Sequence, residues 1–179
     1  MAEEKKEKWL NYLALTTVIL AVCATLSTFK GGNFSTLAVM SQSKASDQWS
    51  YYQSKSIKGY VYEIQKEKLE LELKAMGNKV SKSLAAEYEK KIDAYAKKIK
   101  KYDEEKAKID KDARELERVR DDAQRHSKAF GMAVIFLQIA ILLSSISALM
   151  KKKILWLCGC IVGVGGIVYF VNGFLLFIK

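Results

Sequence analysis

Three stretches of the chain are apolar and contain no Asp, Glu, Lys or Arg. They run from Trp9 to Phe29, from Phe130 to Met150 and from Ile154 to Ile178. Each is close to the ~20 residues that an α-helix needs to cross the hydrocarbon core of a bilayer. The sequence contains no proline, the residue that most strongly interrupts a helix. We therefore predict an all-α protein with three transmembrane helices, the first of them within residues 1–29.

Residues 30–129 are highly charged and contain two helical patterns, separated by Gly77-Asn78. The first arm, about residues 35–76, has an imperfect apolar stripe made of Trp49, Ile57, Tyr60, Ile64 and Leu71. The second arm, about residues 81–128, has apolar residues at alternating spacings of three and four, with Lys106 and Arg120 as polar interruptions. These residues are Ala85, Tyr88, Ile92, Tyr95, Ile99, Tyr102, Ile109, Ala113, Leu116 and Ala123. Two arms of similar length joined by a short turn predict a long antiparallel coiled-coil helical hairpin between spans one and two.

The junctions between these segments differ in character. At Lys30-Gly31-Gly32-Asn33 the glycines permit a change of direction, and Ser35 is a candidate N-cap for the first arm. The second span, residues 130–150, follows the heptad pattern with no breaker, which predicts one continuous helix. Lys151-Lys152-Lys153 is a tight connection to the third span, residues 154–178.

Lysines near the spans bear on orientation. Cytoplasmic loops are enriched in Lys and Arg, so the Lys151–Lys153 connection and the N-terminus with Lys5, Lys6 and Lys8 are expected in the cytoplasm. The hairpin is then extracytoplasmic. Basic residues on the hairpin side, from Lys30 to Lys128, favour the opposite orientation. We interpret the first apolar stretch as a retained signal anchor, with a cleaved signal peptide as the alternative.

The formal net charge is +10, yet Lys and Glu alternate along the arms as on a solvated helix, and no nucleic-acid-binding motif accompanies them. Nucleic acid is therefore not an expected partner. The lone His126 has no second histidine or cysteine at metal-ligand spacing, so we expect a solvated side chain near the membrane boundary. No catalytic, cofactor, metal or small-molecule motif is found, and we expect a non-enzymatic protein.

The densest group of candidate functional residues lies in the first arm. It comprises Gln48, Trp49, Tyr52, Gln53, Lys55 and Lys58. Aromatic rings beside lysines can contact anionic lipid headgroups. The alternative, which we favour, is that Trp49 and Tyr52 pack on the opposing arm while amide and ammonium groups border that contact.

Several segments of the sequence resemble a bacterial membrane-protein family, domain of unknown function 4337. They are Leu26 to Asn33, Ala45 to Lys58 and Ser145 to Trp156 around the lysine triplet. The resemblance extends over most of the chain and is least distinctive in the middle of the hairpin. It implies three spans with a coiled hairpin, in the bacterial inner membrane, and no assigned activity.

The spans themselves limit the choice of function. Gly159, Gly163 and Gly166 are candidates for close helix packing, within the chain or between subunits. Ion-coupled transport commonly needs an Asp, Glu, Lys, Arg or His within the membrane, and the three spans contain none of these residues. We expect a homo-oligomeric scaffold in contact with membrane lipid. The alternative is a passive oligomeric pore lined by Thr, Ser and Gln of spans one and two.

Overall fold

The computed structural model describes residues 8–77 and 80–178, and it contains three α-helices there and no strand. The helices are α1 at Lys8–Met76, α2 at Lys82–Met150 and α3 at Lys153–Leu175. The predicted all-α fold is thereby confirmed. Lys5, Lys6 and the second residue of the predicted turn, Asn78, lie outside the described residues.

The predicted change of direction at Lys30–Asn33 is wrong, because α1 continues through these residues. Ser35 therefore lies inside a helix and is not an N-cap. The structure gives Gly31 another role: a Cβ atom there would lie 3.1 Å from Cβ of Phe130. The Ser127 hydroxyl also donates a hydrogen bond of 3.1 Å to the Gly31 carbonyl oxygen. Glycine permits a turn but does not require one, and at Gly31 it permits a close approach of α2.

The ends of the helices follow ordinary capping chemistry. Gly77 has φ +53° after the last residue of α1, a left-handed conformation that glycine adopts without steric cost. Ser81 caps α2, since its hydroxyl oxygen accepts from the Leu84 N–H at 3.3 Å. α2 then continues without interruption to Met150, as the absence of a breaker predicts.

The connection between α2 and α3 is short. Lys151 has φ 51°, and the buried Ser147 hydroxyl donates a hydrogen bond of 2.7 Å to the carbonyl oxygen of Lys152. This bond satisfies a polar group at the turn from one apolar helix into the next.

All three helices contain a segment long and apolar enough to cross a membrane, judged by length and composition over the described residues. The chain divides into two compact units. Unit one contains the described residues up to Met40 and from Val119 onward, and unit two contains Ser41–Arg118.

The core of unit one is made where small residues let the helices approach closely. Its buried members are Leu20, Ala24, Ala133, Leu137 and Ala140. Phe130 and Leu137 are fully buried. In unit two the most buried apolar residues are Ala45, Ile109 and Ala113.

Candidate functional site

Trp49 makes polar and aromatic contacts within unit two. Its indole N–H donates a hydrogen bond of 2.9 Å to a carboxylate oxygen of Glu117. The Tyr52 ring meets it edge-on with centroids 5.7 Å apart, and the Arg114 guanidinium lies 5.8 Å from its ring centroid. These contacts hold the indole against α2, the packing role favoured from the sequence.

Lys55 is engaged in the same way. Its ammonium group lies 2.6 Å from a carboxylate oxygen of Glu105, and its side chain is only 15% exposed. The hydrogen bond from Lys55 lowers the pKa of the Glu105 carboxyl, and the same bond raises the pKa of Lys55. Tyr51 and Tyr102 present their rings to the ammonium at 5.1 and 5.5 Å. The charge of Lys55 is therefore already compensated within unit two.

The remaining candidates of this group do not join them in one site. Gln48 is half-buried, whereas Gln53 and Lys58 are exposed. The structure thus brings Trp49 and Lys55 into contacts with α2. Lys58 is more exposed, and its charge acts on the same Glu105 carboxylate that pairs with Lys55.

Further along unit two, Tyr62 of α1 contacts two tyrosines of α2. The Tyr62 ring lies 5.5 Å from Tyr95 and 5.9 Å from Tyr102 between centroids. The Lys98 ammonium lies 4.5 Å from the Tyr62 centroid and donates a hydrogen bond of 3.1 Å to its hydroxyl oxygen. That hydrogen bond raises the pKa of Lys98. Stacked rings and a cation here replace the aliphatic side chains usual at heptad positions.

Contacts between α1 and α2 in unit two occur in inverted order along the chain. Trp49 pairs with Glu117, Lys55 with Glu105, Tyr62 with Tyr95 and Tyr102, and Glu72 with Tyr88. Burial is the largest cause that raises the pKa of the Tyr88 hydroxyl, which donates to Glu72 at 3.2 Å. Successive residues of α1 therefore meet successively earlier residues of α2.

The two predicted apolar patterns of unit two have different outcomes. On α2 the heptad residues lie on the less exposed face, with Ile109 buried and Ile92 and Ile99 half-buried. On α1 the predicted stripe, apart from Trp49, is on an exposed face. In the part of α1 that belongs to unit two, buried positions such as Ala45 and Gly59 carry small residues. The large apolar residues of the predicted stripe lie on other sides of the helix.

We call this exposed set the outer stripe. Its members are Ile57, Tyr60, Val61, Ile64 and Leu71, which are 45–67% exposed. Separations of three, four and seven residues place them along one side of a helix, and the charged Lys68 lies on the same side between Ile64 and Leu71. The outer stripe lies outside the three apolar stretches, in the charged part of the chain.

The glycines of α3 lie against other helices of the same chain. A Cβ atom would lie 3.1 Å from the Ala140 carbonyl oxygen at Gly159, 3.1 Å from Cδ2 of Leu20 at Gly163, and 2.8 Å from Cγ of Leu137 at Gly166. All three glycines are buried within unit one. In the structure these glycines therefore serve packing between helices of the same chain.

Hydroxyl groups in the apolar part of α1 are satisfied locally. Thr17 donates to the Leu13 carbonyl, Thr25 to Ala21 and Ser27 to Cys23, at 2.8–2.9 Å. Such bonds within a helix let Thr and Ser lie in an apolar environment without contact to water. These hydroxyls therefore have hydrogen-bond partners without a water-filled pore beside them.

His126 is not solvated, so that prediction is wrong. Its ring stacks on Phe34 with centroids 4.5 Å apart, and Nδ1 lies 2.8 Å from the Gly173 carbonyl oxygen. No sequence signal connects residues so far apart in the chain. Among the residues described, no group of three or more His, Cys, Asp or Glu side chains could hold a metal ion.

Comparison with protein families gives one finding at the scale of the whole chain. A family model described as domain of unknown function (DUF4337) matches residues 9–176. Searches of the curated proteins and of the solved structures find no match.

Proposed function

The chain belongs to the DUF4337 family, and we propose that it is a non-enzymatic membrane protein that forms a homo-oligomeric scaffold. In this proposal its three apolar segments span the bacterial inner membrane. Unit two forms an antiparallel coiled-coil hairpin on the extracytoplasmic side. The outer stripe of each hairpin is the contact surface for a second copy.

Exposed apolar side chains support the membrane part of the proposal. Leu15, Val18 and Ile161 are each at least 60% exposed in the single chain, and many other large apolar residues of the same helices are also exposed. Burial of such surface is favourable by about 25 cal/mol per Å², and a bilayer provides that burial without a protein partner. Alkaline carbonate washing should leave the protein in the membrane, and its release would refute the three-span arrangement.

The contacts within unit two support the hairpin. Their inverted order is the pairing expected of antiparallel helices, and the heptad residues of α2 lie on the less exposed face. The ion pair of Lys55 with Glu105 and the hydrogen bond of Trp49 with Glu117 border this face, as charged groups border a coiled-coil seam.

The outer stripe is the observation that carries the proposal of a homo-oligomer. Monomeric soluble proteins rarely leave a large contiguous apolar patch exposed, and patches rimmed by polar residues mark interaction surfaces. Charged residues such as Lys58 and Glu63 border the stripe, and Lys68 lies within it between Ile64 and Leu71, so the contiguous apolar part is the segment from Ile57 to Ile64. A second copy of the chain presents the same stripe, so the contact can be isologous, with each subunit burying the other's apolar residues.

A charge placed within the stripe tests this contact. Ile64→Lys should lower the subunit number of the purified full chain, because association would have to bury an unpaired ammonium group. Ala107→Lys introduces the same charge at an exposed position of α2, off the stripe, and is the matched control. Light scattering coupled to size exclusion measures the mass. Unchanged mass in Ile64→Lys, or equal loss in both variants, would remove the stripe from the assembly.

Orientation is tested by a reporter that is active only outside the cytoplasm. Inserted after Gly77, it should be active if Lys151–Lys153 remain in the cytoplasm. An inactive reporter together with cytoplasmic labelling of the hairpin would reverse the proposed orientation. Ion leakage through reconstituted protein, absent from protein-free vesicles, would instead favour the passive pore.

A further inference from the structure

An open cavity of about 570 Å³ lies in unit one beside the carboxyl end of α3. Arg125 and Lys128 of α2 line one part of it. Met132, Leu176 and Ile178 supply apolar side chains, and Tyr169 adds a phenol. Its size falls within the ~300–1,000 Å³ of sites that bind small ligands.

The wall of this cavity is fixed by hydrogen bonds. Leu176 has φ 50° and donates its N–H to the Asn172 carbonyl oxygen at 2.8 Å. The Asn172 side-chain oxygen accepts the Ile178 N–H at 2.7 Å. His126 contacts the Gly173 carbonyl at 2.8 Å. The residues after α3 are therefore held in a defined position, and two carbonyls at the negative end of the helix are already occupied.

The two cations at the cavity have no ion-pair partner among the residues that the structure describes. The nearby carboxylates are engaged elsewhere: Asp121 lies 2.8 Å from the Arg120 guanidinium, and Asp122 faces His126 at 3.7 Å. No Asp or Glu lines the cavity. Arg125 and Lys128 are one helical turn apart on α2, so their charges can act on one anion.

We propose that this cavity binds the phosphate headgroup of an anionic phospholipid, a site that rests on the proposed membrane location. Lys128 is the last charged residue before the apolar part of α2, so the cations stand where headgroups meet hydrocarbon. The Arg125 fork matches the geometry of phosphate oxygens. An acyl chain lies along Met132, Leu176 and Ile178. A free phosphate ion would leave this apolar half of the cavity unused.

Lipid titration of the purified full chain tests the site. Native mass spectrometry should show tighter binding of phosphatidylglycerol than of phosphatidylcholine with the same acyl chains, by about tenfold or more. Arg125→Gln combined with Lys128→Gln should weaken phosphatidylglycerol binding about 30-fold, which corresponds to ~1 kcal/mol for each charge removed. Lys151→Gln combined with Lys152→Gln removes two cations that also border an apolar helix but do not line this cavity. This control should change binding by no more than about twofold.

Two further experiments test whether the phosphate belongs to a lipid or to a soluble anion, and whether the apolar half of the cavity contributes to binding. Glycerol 3-phosphate in roughly 100-fold excess should not displace the lipid, because it lacks the acyl chains that supply apolar burial. Met132→Trp keeps both cations but fills the apolar half, and it should also weaken lipid binding. Displacement by glycerol 3-phosphate would assign the cavity to a soluble anion and overturn the proposal.

Equal binding of phosphatidylglycerol and phosphatidylcholine by the unaltered chain would overturn the site without any variant, whether or not the variants fold. Equal losses in the two double variants would do so as well, because general boundary charge would then account for the preference. Release by alkaline carbonate, in contrast, would refute the membrane location itself. If the chain stays in the membrane but does not prefer anionic lipid, only the proposed lipid site is refuted.

Discussion

Replacement of Gly166 by alanine tests the packing of α3 against the backbone of α2. The added Cβ would lie 2.8 Å from Cγ, 2.9 Å from Cδ2 and 3.0 Å from the backbone nitrogen of Leu137. Carbon atoms in contact prefer about 3.5–4.0 Å, so the new methyl group overlaps its neighbours by about 0.5–1 Å. Leu137 is fully buried and the backbone nitrogen belongs to α2, so neither can move aside freely. Overpacking of this kind costs about 1–3 kcal/mol.

Gly165→Ala is the matched control for this substitution. Its Cβ would meet only Cδ1 of Phe136 at 3.9 Å, an ordinary van der Waals distance. Both variants gain the helix propensity of alanine over glycine, about 1 kcal/mol, so this gain cancels when they are compared. Gly166→Ala should therefore be less stable than Gly165→Ala by about 1–3 kcal/mol. Reversible unfolding of the full chain in mixed micelles, followed by circular dichroism, measures the difference. Equal stability of the two variants would refute the close packing of α3 on α2.

Three further predictions concern single contacts. Ile109→Ala should destabilise the full chain by about 2 kcal/mol or more, because the side chain is 5% exposed, whereas Lys108→Ala should cost less than about 0.5 kcal/mol in the same unfolding assay. Phe130→Ala should cost about 3–5 kcal/mol, since the ring is fully buried; a loss below 1 kcal/mol would contradict that burial. The pKa of Glu105 is lowered, so its contribution is present above the usual 4.5 and is lost as pH falls below that value. Melting temperature in this acidic range should fall more for the unaltered chain than for a variant with Lys55→Met and Glu105→Gln, and identical pH profiles would contradict the pairing.

The spacing of apolar residues along the sequence predicted the long helices and the less exposed face of α2. The length of the apolar stretches, the absence of proline and the heptads of α2 led to long helices and to the less exposed face of α2. The same approach failed on the part of α1 that belongs to unit two, where buried positions such as Ala45 and Gly59 carry small residues. A pattern based on large apolar residues then identifies the outer stripe, which is the exposed side.

Glycine and histidine show a second limit. Gly31 and Gly32 satisfy the sequence criterion for a turn, but the contact of Gly31 with Phe130 can be known only once α1 and α2 are placed together. The contact between His126 and Gly173, and the cavity formed beyond α3, likewise join residues that are distant in sequence. Local pattern carries no information about such pairs, and the cavity proposed to bind lipid is likewise lined by residues of two helices that are distant in sequence.

The subunit number of the full chain within its native lipid tests the proposed scaffold most directly. Membranes solubilised into lipid nanodiscs without detergent retain the bilayer, and mass photometry of the purified particles counts the subunits in each. The proposal predicts particles with two or more subunits in the unaltered chain, and fewer in Ile64→Lys but not in Ala107→Lys. Particles that contain a single subunit at every protein concentration would contradict the homo-oligomer and leave the outer stripe without its proposed partner.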